Sequence, residues 1–276
     1  MQATLDWACL YGEHKANKTP MPAAAILRAQ IEEKLANRIP AVLSLKIKQA
    51  SELLPTGIAE IDSMVGGGIP RGSITEISGA SSTGRTSFGL FAVATVTQSG
   101  AACAWVDVSD ALSPESAAAA GVELNRLLWL RTAGERQQAK EQVLSRLEQA
   151  IKATGLLLKT GAFAAIVLDM SDVHSRQTMR IPLSMWYSFR LAAEQARTAL
   201  VLLTQSPCAN NCAALVLHCE PASITPLSAA GETALFDGQQ HIVTRERNRN
   251  EGASFAQKKP SGRTTWQTET TWSRVR

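Results

Sequence analysis

The sequence has 276 residues, 45% of them hydrophobic and 19% charged, with a formal net charge of +4. That length holds one large α/β domain with an accessory arm, and the balance excludes a disordered chain. Aromatic residues make up only 5%, which excludes stacking on nucleobases as a theme of the whole chain. The positive charge sits at one end. From His241 to Arg276 there are eight Lys/Arg against three Asp/Glu, whereas residues 1–240 hold 20 against 21. Such a tail suits a polyanionic partner or a solubilising end. No apolar run approaches the roughly eighteen residues of a membrane span, and the opening MQATLDWACLYGEHK lacks an apolar signal core. Together with five cysteines, an odd number, this reads as a cytoplasmic protein with free thiols.

In chain order, residues 22–38 space Ile26, Leu27, Ile31 and Leu35 as an amphipathic helix, and residues 41–55 read as a strand or linker. A core begins near Leu54. SITEISG (73–79) predicts a short strand, RTSFGLFAVATVTQSG (85–100) a helix, and AACAWVDV (101–108) an apolar strand. Residues 135–154 predict an amphipathic helix. FAAIVLD (163–169) predicts a buried strand, MWYSFRLAAEQARTA (185–199) a helix, and ALVLLTQ (199–205) and AALVLHC (213–219) two further strands. Strand alternating with helix predicts an α/β fold, a doubly wound and mostly parallel sheet. The expected organisation is an arm with its helix over residues 1–50, a core over 51–240, and an edge strand with a basic tail over 241–276.

Between the first core strand and helix lies Gly79-Ala80-Ser81-Ser82-Thr83-Gly84-Arg85-Thr86-Ser87. It follows the G-x-x-x-x-G-[K]-[ST] phosphate-loop pattern, with arginine where lysine is usual. Small residues let main-chain N–H groups curl around a phosphate, and the helix N-terminus adds a positive dipole. In this reading Thr86 holds the Mg²⁺ of bound ATP through its hydroxyl. Asp169 ends a strand about 80 residues on and supports the same ion. Arginine is wider than lysine and planar, so Arg85 is expected to harm turnover more than binding. The bland alternative is a loop kept for its shape. Cys208, Cys212, His218 and Cys219 are too irregularly spaced to read as a zinc site.

The run LPTGIAEIDSMVGGGIPRGSITEISGASSTGRTS resembles the segment of RecA recombinases that leads into and through their phosphate loop. CAWVDVSDALSPESAAAAGVELNRLLWLR continues the likeness, which covers roughly residues 54–220. The resemblance implies a RecA-like P-loop NTPase core. Ser109 stands where RecA proteins keep a water-activating glutamate, with Asp110 beside it as the remaining candidate. Ser113 and Ser116 replace the residues that grip adenine. Gln205 matches the glutamine that senses the γ-phosphate and opens the second DNA loop, which is short here. The first DNA loop falls at 172–182, where Arg176 and Arg180 are candidate phosphate contacts. A plain solvated loop is the alternative there. Arg247-Asn248-Arg249 resembles the K-N-K run that reaches a neighbour's nucleotide, with a basic edge strand as the alternative. Lys258, Lys259 and Arg263, with Trp266 and Trp272, form a tail suited to single strands or a protein.

A degenerate RecA-like chain of this size is similar to ImuA-type proteins. These accompany ImuB, an inactive Y-family polymerase, in damage-induced (SOS) translesion synthesis. The likeness implies ATP and Mg²⁺ as cofactors, and single-stranded or damaged DNA, ImuB and further copies of the chain as partners. Two other readings stay open: a genuine DNA-dependent ATPase and recombinase, and a nucleotide-independent interaction module.

Overall fold

The computed structural model describes residues 52–132, 140–220, 238–249 and 262–269. The helix expected over 22–38 lies outside them, as do Lys258, Lys259 and Trp272 of the tail. All described elements belong to one compact unit, Ala50–Arg276.

The strands are β1 (Leu53–Leu54), β2 (Ile69–Pro70), β3 (Ile74–Gly79), β4 (Cys103–Asp107), β5 (Leu127–Arg131), β6 (Ala165–Asp169), β7 (Ala199–Thr204), β8 (Ala213–Glu220), β9 (Gly238–Asn248) and β10 (Arg263–Glu269). The helices are α1 (Ala59–Val65), α2 (Arg85–Gln98), α3 (Pro114–Ala119), α4 (Lys140–Thr160), α5 (Ser175–Thr178) and α6 (Leu183–Ala196). Eight strands form the main sheet in the order β10-β9-β8-β3-β7-β6-β4-β5. From β8 to β5 every pairing is parallel, while β9 and β10 close the other edge as an antiparallel hairpin. The doubly wound sheet expected from the sequence is therefore present, with the crossings that parallel strands demand.

The largely apolar runs of β4, β6 and β7 follow from two covered sheet faces. Ile77, Trp105, Val167, Val201 and Leu217 point into one core, which α2 covers with Phe88, Val93 and Val96. Ile74, Val106, Ile166, Leu168, Leu200 and Val216 point into the other, shared with Leu147 and Ile151 of α4 and Trp186 and Phe189 of α6. Helix α4 runs six residues beyond the expected 154 because Leu158 is still fully buried. Helix α6 begins at Leu183, directly after Pro182, and stops at Ala196, where Arg197 turns left-handed (φ +53°). Among the described residues no helix is long and apolar enough to cross a membrane.

The T-G-x-x-x-x-D run before the loop is structural. The Asp62 carboxylate accepts from the Thr56 N–H (2.9 Å) and hydroxyl (2.8 Å), closing the turn into α1. At the other end of α1, Arg245 of β9 donates to the Met64 carbonyl (2.6 Å) and Asn248 to the Val65 carbonyl (3.1 Å). Donors there satisfy the last carbonyls and suit the negative end of the helix dipole.

Candidate phosphate-binding site

Strand β3 delivers the loop to the carboxyl edge of the sheet, and α2 begins at Arg85. The strand–loop–helix expected for residues 79–86 is what the chain forms. Two glycines are sterically required. A Cβ on Gly79 would stand 2.4 Å from the Cys219 carbonyl oxygen, and Gly84 has φ +83°. Gly84 ends the loop without a side-chain cap, and no acidic residue occupies the first turn of α2. The first N–H groups of a helix have no intrahelical acceptor, so this end offers donors and positive potential to an anion. Ala80, Ser81, Ser82 and Thr86 are exposed, Ser87 is half-buried, and the Thr83 hydroxyl is turned inward to the Ala80 carbonyl (2.8 Å).

Arg85 is buried and donates to the Thr204 carbonyl at the end of β7. Burial pushes its pKa below the ordinary guanidinium value, opposed first by the charge of Asp169. Asp169 ends β6 as a register neighbour of Asp107 on β4. Burial raises its pKa, hydrogen bonds from the Ser171 side chain and its N–H (3.0 Å) oppose, and the nearby charges of Asp107 and Asp172 raise it further. The Thr204 hydroxyl is buried without a protein hydrogen bond. Among the described residues no group of three or more His, Cys, Asp or Glu side chains is gathered to hold a metal by itself. The geometry offers main-chain donors for an anion at Gly79–Ser87, with Asp169 ending a neighbouring region of the same sheet edge.

The remaining expected residues have separate partners. Asp107 accepts from the N–H groups of Ser109, Ala111 and Leu112 and so shapes the turn after β4. Asp110, in a left-handed conformation (φ +56°), is bound at both oxygens by Arg131. Ser113 caps α3, accepting from the Ser116 N–H (3.1 Å), so both positions matched to an adenine grip build a helix start. Gln205 is half-buried directly after Thr204, the anchor of Arg85.

Arg176 and Arg180 are exposed in the β6–α6 connection, where His174 caps the short α5 by accepting from the Arg176 N–H (3.1 Å). The brief β7–β8 connection is pinned from below. Buried Glu76 of β3 accepts from the Cys208 (2.6 Å) and Ala209 (3.3 Å) N–H groups, and burial raises its pKa. Arg247 donates to the Asn210 carbonyl (2.6 Å) and Arg249 to that of Asn211 (2.8 Å), so in this chain both grip that same connection. Arg263 pairs with Glu220 (2.8 Å).

Two residues beside the loop escaped the sequence reading. Gln239 donates to the Ser82 carbonyl (3.1 Å), and the buried ring of His241 lies against Gly84. They are more than 150 positions from the loop and match no motif; only the fold brings them there.

Residues 21–178, more than half of the chain, match the RecA N-terminal domain. The chain belongs to the RecA family. It is 28% identical to Protein RecA of Streptomyces ambofaciens over 192 residues, which is 64% of this chain and 48% of that one. It is 33% identical to Protein RecA of Saccharopolyspora erythraea over 148 residues, 53% of this chain and 39% of that one. The chain thus spans about half the length of the first of these relatives and less of the second. Among solved structures it is similar to the RadB recombinase at 19% identity, with a TM-score of 0.51, over 79% of this chain and 96% of that one. That likeness concerns the fold. This RecA-family chain forms a strand–loop–helix at residues 79–86.

Proposed function

We propose that this chain is a DNA-repair accessory protein of the ImuA type, one that holds Mg·ATP at residues 79–87 and turns it over slowly or not at all. The observation that carries this reading is the pairing of an intact cradle with misplaced charge. Gly84 opens α2 toward an anion, while Arg85 is folded back to the Thr204 carbonyl and Asp110 is held by Arg131. Phosphoryl transfer depends on positioning and electrostatics, so binding outlasts catalysis when those charges are displaced. Bound Mg·ATP would supply a phosphate anion and a Lewis-acidic ion; Thr86 and Asp169 would hold the ion, and Gln205 would meet the γ-phosphate side.

The proposed partners are single-stranded or damaged DNA through Arg176, Arg180, Lys258, Lys259 and Arg263, an ImuB-like polymerase protein, and further copies of the chain. In an assembly Arg247 and Arg249 would exchange their loop carbonyls for a neighbour's nucleotide. Calorimetry with Mg·ATP, paired with phosphate release with and without single-stranded DNA, tests the reading. Binding with negligible turnover is expected. Brisk DNA-stimulated turnover would favour a recombinase, and no binding would favour a nucleotide-independent interaction module.

A further inference from the structure

We propose that Gln239 and His241 are positioning residues for the phosphate loop, so that the β9–β10 hairpin sets the loop's shape and senses its occupant. The inference rests on the nucleotide reading above. Its physical basis is the geometry of one peptide plane. In a trans peptide the C=O and the next N–H point in opposite directions. Gln239 Nε2 holds the Ser82 carbonyl toward the hairpin (3.1 Å), which turns the Thr83 N–H away from the hairpin. Ser82 itself has φ +61°, a conformation costly for a residue with a side chain and maintained only by its surroundings.

His241 supports the next residue but one. A Cβ on Gly84 would stand 2.5 Å from His241 Nδ1, so the imidazole fills the space that the glycine leaves. The ring is only 2% exposed. It is fixed from behind by its register partner Trp266 on β10, at 4.6 Å between ring centroids, and its Nε2 lies 3.2 Å from the Thr268 hydroxyl. Its Nδ1 is the ring atom that faces the loop, where the main chain of Thr83 acts on it. A loop braced by an aromatic pair cannot sink inward, and an inward rearrangement on phosphate entry must displace the ring. The same strand continues to Arg245, which caps α1, and to Arg247, which with Arg249 just past the strand's end holds the β7–β8 connection. One strand therefore joins the loop to the chain's other candidate contact surfaces.

The test uses the full chain, Mg·ATP, calorimetry and tryptophan emission. Gln239→Met keeps the bulk and removes the donor. It should weaken Mg·ATP binding about three- to tenfold, the range of one hydrogen bond, without moving the unfolding midpoint. His241→Gln should weaken it further. Mg·ATP should change the emission of the parent chain, and Trp266→Phe should reduce that change. Unaltered affinity in Gln239→Met, or an emission change left undiminished by Trp266→Phe, overturns the positioning role while leaving the nucleotide reading intact. Failure of the parent chain to bind Mg·ATP overturns both.

Discussion

The Arg131 guanidinium grips both carboxylate oxygens of Asp110, Nε to Oδ1 at 2.5 Å and Nη2 to Oδ2 at 2.6 Å. Arg131 also lies over the Trp129 ring, with Cζ 4.8 Å from its centroid, so the pair is oriented as well as charged. A carboxylate engaged by a guanidinium is a poor proton acceptor. Asp110→Asn should therefore leave ATP turnover within about twofold of the parent, because the group is not the base. Ser109→Glu should raise turnover about tenfold or more. Steady-state phosphate release measures both; a collapse of turnover in Asp110→Asn would restore Asp110 to the chemistry.

Arg85 separates binding from rate. Its guanidinium is committed to the Thr204 carbonyl beneath the loop. Lysine presents a compact ammonium on a flexible stem, suited to follow charge as it develops on a phosphate. Arg85→Lys should raise turnover more than affinity. Arg85→Ala should destabilise the fold by about 1–3 kcal/mol, the cost of leaving a buried acceptor unpaired. Denaturant titration and phosphate release, read on the same preparations, check the two effects; a change in affinity alone for Arg85→Lys would show that the side chain only binds.

How much was legible in the sequence depends on burial and distance along the chain. Strands β4, β6, β7 and β8 lie in the sheet interior and are largely apolar, so composition marks them, whereas β3, with Thr75, Glu76 and Ser78, is marked by the glycine-rich turn that follows it. Edge strand β5 is half-exposed, α3 has six residues, and β10 reads Arg-Thr-Thr-Trp-Gln-Thr-Glu, a mostly polar run around the buried Trp266. None of these carries a periodic signal above its surroundings. The loop and Asp169 were readable because glycine spacing and a strand-ending acid are local features. The turn of Arg85 under the loop, the Asp110–Arg131 pair and the His241 brace were not, since each depends on a partner that only folding supplies.

The basic tail gives a prediction about nucleic acid. Replacing Lys258, Lys259 and Arg263 with alanine should weaken binding to single-stranded DNA and flatten its salt dependence, by about 0.7 in log–log slope for each lost phosphate contact. Arg263 is held by Glu220 (2.8 Å), so its share should be smaller than that of either lysine. Titrations across several salt concentrations decide the matter. An unchanged slope in the triple variant would remove the tail from the DNA surface.

His241 makes stability depend on pH in a defined direction. Burial lowers its folded pKa below the ordinary 6.5, with the main chain of Thr83 opposing. The unfolded chain therefore binds the proton more readily than the folded one. Its contribution is fully present above about pH 6.5 and is lost as pH falls through the unfolded value toward the folded one. Glu76 and Asp169, raised by burial, act in the opposite sense over the acidic range, so the informative quantity is the difference between parent and variant. The denaturant midpoint of the parent should fall further between pH 7.5 and 5.5 than that of His241→Gln. Equal shifts in the two proteins would mean that the ring takes up its proton as easily beside Gly84 as in water.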